Sequence, residues 1–205
     1  MTIQLSNAGK RYNRDWIFRN ASLTFLPHHT YAITGSNGTG KSTLLQAIAG
    51  SLAISEGQVS WQIKGSEIDS NLVYNHLSIA APYVEVIEEM TAFEFLEFHQ
   101  KFKPLIASVS IKEMLSLLGL EKASNKQIRY YSSGMKQRIK LAQAIFSDVP
   151  LMLLDEPCTN LDIAGFELYN TLINKYGHNK TIIVSSNDIN EYSFCENVIN
   201  IMDYK

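Results

Sequence analysis

The sequence predicts an α/β fold: a mostly parallel sheet covered by helices, preceded by an N-terminal antiparallel β part and interrupted by an inserted helical lobe. Three observations predict it. Strand and helix patterns alternate from Ser133 to Ser185, the order expected of parallel strands joined by crossover helices. Two runs with strand character, Ile3 to Lys10 and Ile17 to Phe25, meet at the polar turn Arg11-Tyr12-Asn13-Arg14-Asp15, as in a hairpin. Between about 92 and 127 the apolar residues change to helical spacing, with Phe93, Phe95, Leu96 and Phe98 followed by Ile111, Met114, Leu115 and Leu118.

The remaining elements follow in order. Tyr31-Ala32-Ile33-Thr34 reads as a buried strand, and His28-His29 just before it, behind Pro27, reads as a turn rather than a metal site. Ser42 to Ala49 reads as a helix, and Gly57 to Ile63 and Leu77 to Ala80 as strands. A helix from Ser133 to Phe146, a strand Leu151 to Leu154, a helix Ile163 to Tyr176 and a strand Thr181 to Ser185 complete the alternation, and a last strand is predicted over Val198 to Met202. The Met114 to Leu118 stripe reads as core packing.

At 205 residues the chain can bury a core of good size, and one domain over 1–205 with a small lobe is expected. A formal net charge of −2 offers no basic face for a phosphodiester backbone, so nucleic acid is not the default partner. The N-terminus lacks a charged-then-apolar signal, and no apolar run is long enough to cross a bilayer. Cys158 and Cys195 match no metal-ligand spacing and are expected to be reduced thiols.

The chemistry begins at Gly35-Ser36-Asn37-Gly38-Thr39-Gly40-Lys41-Ser42, which joins a strand to a helix. Glycines let the backbone curl so that successive N–H groups point inward, and the helix adds the positive end of its dipole. Lys41 supplies a point charge for β- and γ-phosphates, and the Ser42 hydroxyl suits a magnesium ion. A nucleoside triphosphate is therefore the first ligand to consider, on a P-loop NTPase core.

A second site lies at Leu151-Met152-Leu153-Leu154-Asp155-Glu156. A buried strand explains the four apolar residues but not two adjacent acids at its tip, whereas metal and water chemistry does: Asp155 for the magnesium, Glu156 for the attacking water. A third, Tyr131-Ser132-Ser133-Gly134-Met135-Lys136-Gln137-Arg138, opens a helix with small hydroxyl residues, which serves either as an ordinary N-cap or as a second phosphate-competent helix start.

These segments, together with Thr159-Asn160-Leu161-Asp162, resemble the ATP-binding subunit of an ABC (ATP-binding cassette) transporter over essentially the whole chain. The resemblance implies ATP and Mg2+ as ligands. It implies adenine stacking on Tyr12, and phosphate binding by Gly35, Ser36, Asn37, Gly38, Thr39, Gly40, Lys41, Ser42 and Thr43. Ser132, Ser133 and Gly134 fall in the family signature, which closes on the nucleotide of a second subunit, and Asp162 falls in the dimer-contacting aspartate loop. Lys41, Glu156 and Asn187 take the catalytic positions, and Ser42, Asp155 and Tyr83 the metal positions. A separately encoded transmembrane permease and a second copy or homologous ATPase subunit are the implied partners, with no nucleic acid. The implied location is cytoplasmic, peripheral on the inner face of the cell membrane. The expected absence of a C-terminal regulatory domain is similar to compact exporter-type subunits, including the cytochrome-maturation haem exporter ATPase.

The sequence departs from the family pattern in three places. Tyr83 stands where a glutamine senses magnesium and water, Asn187 where a histidine contacts the γ-phosphate, and Ser133 and Met135 where the signature has glycine and glutamine. Tyrosine offers one hydroxyl in place of an amide, and asparagine cannot become cationic. Slow ATP turnover with normal ATP binding is the expectation. A weakly hydrolysing nucleotide sensor and a non-transport ABC ATPase remain open as alternatives.

Overall fold

The structure, a computed structural model, describes residues 1–205. Alternation of buried Ile3 and Leu5 with exposed Gln4 and Ser6 makes β1 (Thr2–Tyr12) a strand with one wet face. It pairs antiparallel with β2 (Asp15–Phe25) through a tight turn that places Asn13 at φ 55°, a conformation asparagine tolerates well. On its other side β1 pairs with β4 (Glu56–Ile63), which pairs with a short β5 (Ser66–Ile68). The resulting antiparallel sheet has the order β2-β1-β4-β5.

The second sheet is parallel, in the order β6 (Leu77–Ala80), β7 (Leu151–Asp155), β8 (Thr181–Ser185), β3 (Thr30–Thr34), β9 (Asn197–Asn200). Every residue of β7 and β8 is buried. Successive side chains of β7 enter opposite cores: Met152 and Leu154 join the core under the lobe, while Leu151 and Leu153 join the core against the antiparallel sheet. Burial on both faces is why β7 reads as an unbroken apolar run rather than an alternation. Helices α1 (Lys41–Ile48), α4 (Ser133–Ile145), α5 (Ile163–Tyr176) and the short α6 (Ile189–Tyr192) complete the connections.

The lobe contains α2 (Ala92–His99) and α3 (Ile111–Leu117), each started by a capping box, Thr91 with Glu94 and Ser110 with Glu113. Pro104, which cannot continue a helix, lies between them. The intervening chain is sewn to the end of α4 by Ile106 N–H on the Phe146 carbonyl and Asp148 N–H on the Pro104 carbonyl. The two ends of the lobe meet in an isolated bridge between Thr91 and Gln127.

The C-terminal strand differs from the sequence expectation. It ends at Asn200, whose side chain accepts from the Met202 N–H at 3.0 Å and turns Ile201–Tyr204 into a 3-10 helix. The short β5, the 3-10 turn Ser70–His76 and α6 carry too little periodicity to be predicted.

Candidate functional site

β3, β7 and β8 end at one level. Ser185 is in register with Asp155 on one side and Ile33 on the other. The knitting continues past the strands, because Glu156 N–H donates to the Ser185 carbonyl at 2.9 Å and Ser186 N–H to the Ile33 carbonyl at 3.2 Å. The Gly35–Ser42 loop, the Asp155-Glu156 pair and Asn187 therefore leave the carboxyl edge of the sheet side by side, where open α/β sheets bind ligands.

The loop is shaped by its glycines. Gly35, Gly38 and Gly40 adopt φ of 143°, 79° and 98°, and a Cβ on Gly40 would drive into the Ile17 side chain of β2. Thr39 Oγ1 donates to the Ser36 carbonyl at 2.6 Å, closing the turn. Lys41 is the first residue of α1, one before the predicted start, and is buried with Nζ donating to the carbonyls of Gly35 (2.9 Å) and Ser36 (3.3 Å). Its charge is thus held over the cradle. Ser42 and Thr43 follow in the first turn, half-buried, while Ser36, Asn37 and Gly38 face solvent.

Asp155 is only 2 % exposed, yet its Oδ1 has no hydrogen-bond partner in the protein, and neither does the adjacent Ser185 Oγ. An unsatisfied buried carboxylate oxygen is costly, on the order of 1–3 kcal/mol. Oxygen donors of this kind suit a hard divalent cation, so the residues present fit a magnesium site. Glu156 follows with φ 44°, a strained left-handed conformation for a glutamate that turns the chain sharply at the strand end.

Tyr83, just beyond β6, is 47 % exposed. Burial of its ring and then the Asp155 carboxylate raise its pKa, opposed by the nearby Gln46 side chain of α1. The phenol is therefore placed with Asp155 and α1 and stays protonated. Asn187 is exposed and makes no hydrogen bond within the protein. Tyr12 closes the β1 end of the hairpin, 47 % exposed, with Lys10 Nζ 5.0 Å from its ring centroid.

Ser132, Ser133 and Gly134 are not hydrogen-bonded to the loop. Ser132 caps α4, accepting from Met135 N–H at 3.3 Å; Ser132 and Ser133 are exposed, and Gly134 backs onto the Asn160 carbonyl. Asp162 is exposed, caps α5 by accepting from Gly165 N–H at 2.8 Å and pairs with Arg138 at 3.3 Å. Glu88 and Glu89 pair with Lys136 and Arg129. Cys158 and Cys195 are free thiols whose pKa values burial pushes up, that of Cys195 to about 12.

Sequence reasoning missed the polar residues that fasten this edge. Gln137, buried in α4, donates to the Pro157 carbonyl at 2.7 Å, and Glu191 in α6 accepts from Cys158 N–H at 2.8 Å. Each lies in an otherwise polar stretch of helix, with no signal that it points inward.

The ABC transporter family model matches residues 18–159 of the chain, which span the loop, the helix start and the acidic strand end. The chain belongs to the ABC transporter family. It is the family's ATP-binding cassette, an ATPase domain, and the residue resemblance is borne out at that level. The cassette is 30 % identical to an ABC transporter ATP-binding protein of Bacillus subtilis, covering 90 % of this chain and 84 % of that one. It is 30 % identical to the cytochrome c biogenesis ATP-binding export protein of Agrobacterium fabrum, over 86 % and 84 %. With the bacitracin transport ATP-binding protein of Enterococcus faecalis it shares 26 % identity, covering 98 % of this chain but 66 % of that protein's length. Among solved structures, a dimeric ATP-binding cassette in a post-hydrolysis state bound to ADP and Pi superposes with a TM-score of 0.80 and 26 % identity, covering 97 % and 93 %. A further cassette, an ABC transporter ATP-binding protein from Pyrococcus furiosus, shares the fold at a TM-score of 0.82 and 18 % identity, with 100 % of both chains covered. No helix of the cassette is long and apolar enough to cross a membrane.

Proposed function

We propose that residues 1–205 act as a single ATPase domain that powers a membrane transporter by ATP-driven dimerisation. The observation that carries the proposal is the buried, unpartnered Oδ1 of Asp155 at the same sheet edge as the Lys41 cradle. That pairing of a hard oxygen with a buried ammonium suits a metal-bound triphosphate and little else.

The mechanism follows from the chain's own groups. The N–H groups of the Gly35–Thr43 segment would bind phosphate oxygens, and Lys41 Nζ would exchange its two loop carbonyls for the β- and γ-phosphates. Ser42 and Asp155 would hold Mg2+, which when bound neutralises charge developing on the phosphates. Glu156, one peptide beyond Asp155, would accept the proton of the attacking water. Asn187 would donate a hydrogen bond toward the γ-phosphate without adding charge, and Tyr83 would orient water with its hydroxyl. Tyr12 would stack on adenine.

Ser132 and Ser133 stand exposed and Gly134 half-buried at the start of α4, so this segment would meet the nucleotide of a partner cassette. The binding of ADP and Pi in a dimeric relative of the same fold supports that arrangement. The transport and export roles of the bacitracin and cytochrome c biogenesis relatives support a transport role, for which the cassette would dock on a permease at the inner face of the membrane. A second reading, a nucleotide sensor with weak hydrolysis, is favoured by Tyr83 and Asn187 at the γ-phosphate positions.

Separate Lys41→Ala and Glu156→Gln variants test the proposal. Lys41→Ala should lose ATP binding, whereas Glu156→Gln should bind ATP normally while phosphate release falls by about 100-fold or more. Unchanged phosphate release in Glu156→Gln would leave only the sensor reading.

A further inference from the structure

Glu191 is 6 % exposed in the short α6, and no cation pairs with it. Its contacts go instead to the two loops that leave the catalytic edge of the sheet. Oε1 accepts from the Cys158 N–H at 2.8 Å, two residues beyond Glu156, while α6 itself follows directly on the Asn187 turn, with the Glu191 N–H on the Asp188 carbonyl at 3.0 Å and the Ser186 side chain near the same carboxylate. The Glu191 backbone is itself fixed, because its carbonyl accepts from the Tyr169 hydroxyl at 2.9 Å and that side chain is fully buried in α5.

We propose that Glu191 is a positioning residue for ATP hydrolysis, whose single carboxylate sets the spacing between the Glu156 turn and the Asn187 turn. The inference rests on the base role given to Glu156 above. Glu156 sits at φ 44°, a conformation that persists only where the surroundings over-determine it. Hydrogen bonds on both sides of it do so: its own N–H reaches the Ser185 carbonyl, its carbonyl accepts from the Thr159 N–H, and the Pro157–Cys158 peptide is held by Gln137 at its carbonyl and by Glu191 at its N–H. Ser185 and Ser186 belong to the strand end that continues into Asn187. One buried side chain therefore ties the residue facing the water to the residue facing the γ-phosphate, in a site where a displacement of about 1 Å costs on the order of 100-fold in rate. Burial, together with Asp188 and Glu156 nearby, raises the pKa of Glu191. A protonated acid or an amide can accept the same Cys158 N–H, so the bond and not the charge is what matters.

The test measures phosphate release by the full chain against ATP concentration for wild type and four variants. Glu191→Ala removes the acceptor. Glu191→Asp keeps the charge but withdraws it by one methylene, and Glu191→Gln keeps the reach. Glu156→Gln sets the floor. Glu191→Ala and Glu191→Asp should lower kcat by about tenfold or more with KM for ATP within about threefold of wild type, and Glu191→Gln should stay within about threefold in both. Should Glu191→Ala fail to fold, Glu191→Asp against Glu191→Gln decides alone. A wild-type rate in Glu191→Asp, a Glu191→Gln as impaired as Glu191→Asp, or losses spread equally over kcat and KM would each overturn the inference while leaving Glu156 in place. A wild-type rate no higher than that of Glu156→Gln would instead remove the base assignment, and the inference with it.

Discussion

Gln137 Nε2 donates to the Pro157 carbonyl at 2.7 Å, so the helix that begins with Ser132-Ser133-Gly134 is fastened to the Pro157–Cys158 peptide, close behind Glu156. A segment that would touch a partner's nucleotide is thus coupled within its own chain to the carboxylate that would act on its own. Differential contacts of this kind are what allow one ligand to bias a second site.

Replacing Gln137 with Leu leaves the buried Pro157 carbonyl without a donor. We expect a loss of about 1–3 kcal/mol in urea-denaturation stability, accompanied by slower phosphate release. Stability equal to wild type would show that the carbonyl finds another donor.

Gly40→Ala should be more damaging than its small volume suggests. Gly40 sits at φ 98°, and the added Cβ would meet Ile17 Cγ2. The strain alone is worth about 1–3 kcal/mol, read as a lower thermal midpoint and weakened ATP binding. Adding Ile17→Ala should recover the steric part and not the backbone part, a non-additivity that a double-mutant cycle measures.

Tyr83→Gln and Asn187→His restore an amide and an imidazole beside Asp155 and at the end of β8. Combined, they should raise steady-state phosphate release by roughly tenfold, equivalent to about 1.4 kcal/mol off the barrier, with ATP affinity unchanged. An unaltered rate would mean that chemistry is not limited at these two positions.

Much of this was legible in the sequence because the chemistry sits where backbone demands are strongest. Leu151 to Leu154 must be apolar on both faces of the sheet, so Asp155 and Glu156 at its tip stood out. Gly35 and Gly40 announced a backbone that other residues cannot follow. Gln137 and Glu191 were illegible for the opposite reason: a polar residue in a helix reads as surface, and only the packing of α4 and α6 against the Glu156 turn shows them buried. Asn200 belongs with them, since its side-chain acceptor ended a strand that the flanking apolar residues would have continued.

His99 supplies a pH prediction. Burial first and Lys103 second pull its pKa from 6.5 to about 4, and its Nε2 lies 2.8 Å from Ser147 Oγ. The unfolded chain takes up this proton below pH 6.5 while the folded chain refuses it until about 4, so stability present above 6.5 is lost as the pH falls toward 4. Allowing for partial solvent screening, the contribution is about 1–2 kcal/mol. His99→Gln should flatten that part of the urea-stability curve between pH 7 and 4.5, and an unchanged slope would show that the histidine does not resist protonation.

A site completed by a second cassette is tested most directly by the solution mass of Glu156→Gln with and without MgATP, measured by light scattering. The predicted result is a monomer without nucleotide and a dimer with it. Adding Ser133→Glu, which places a negative charge on an exposed residue at the start of α4, should return the protein to monomer while ATP still binds. A monomer under all conditions, or a dimer indifferent to Ser133→Glu, would contradict the composite site.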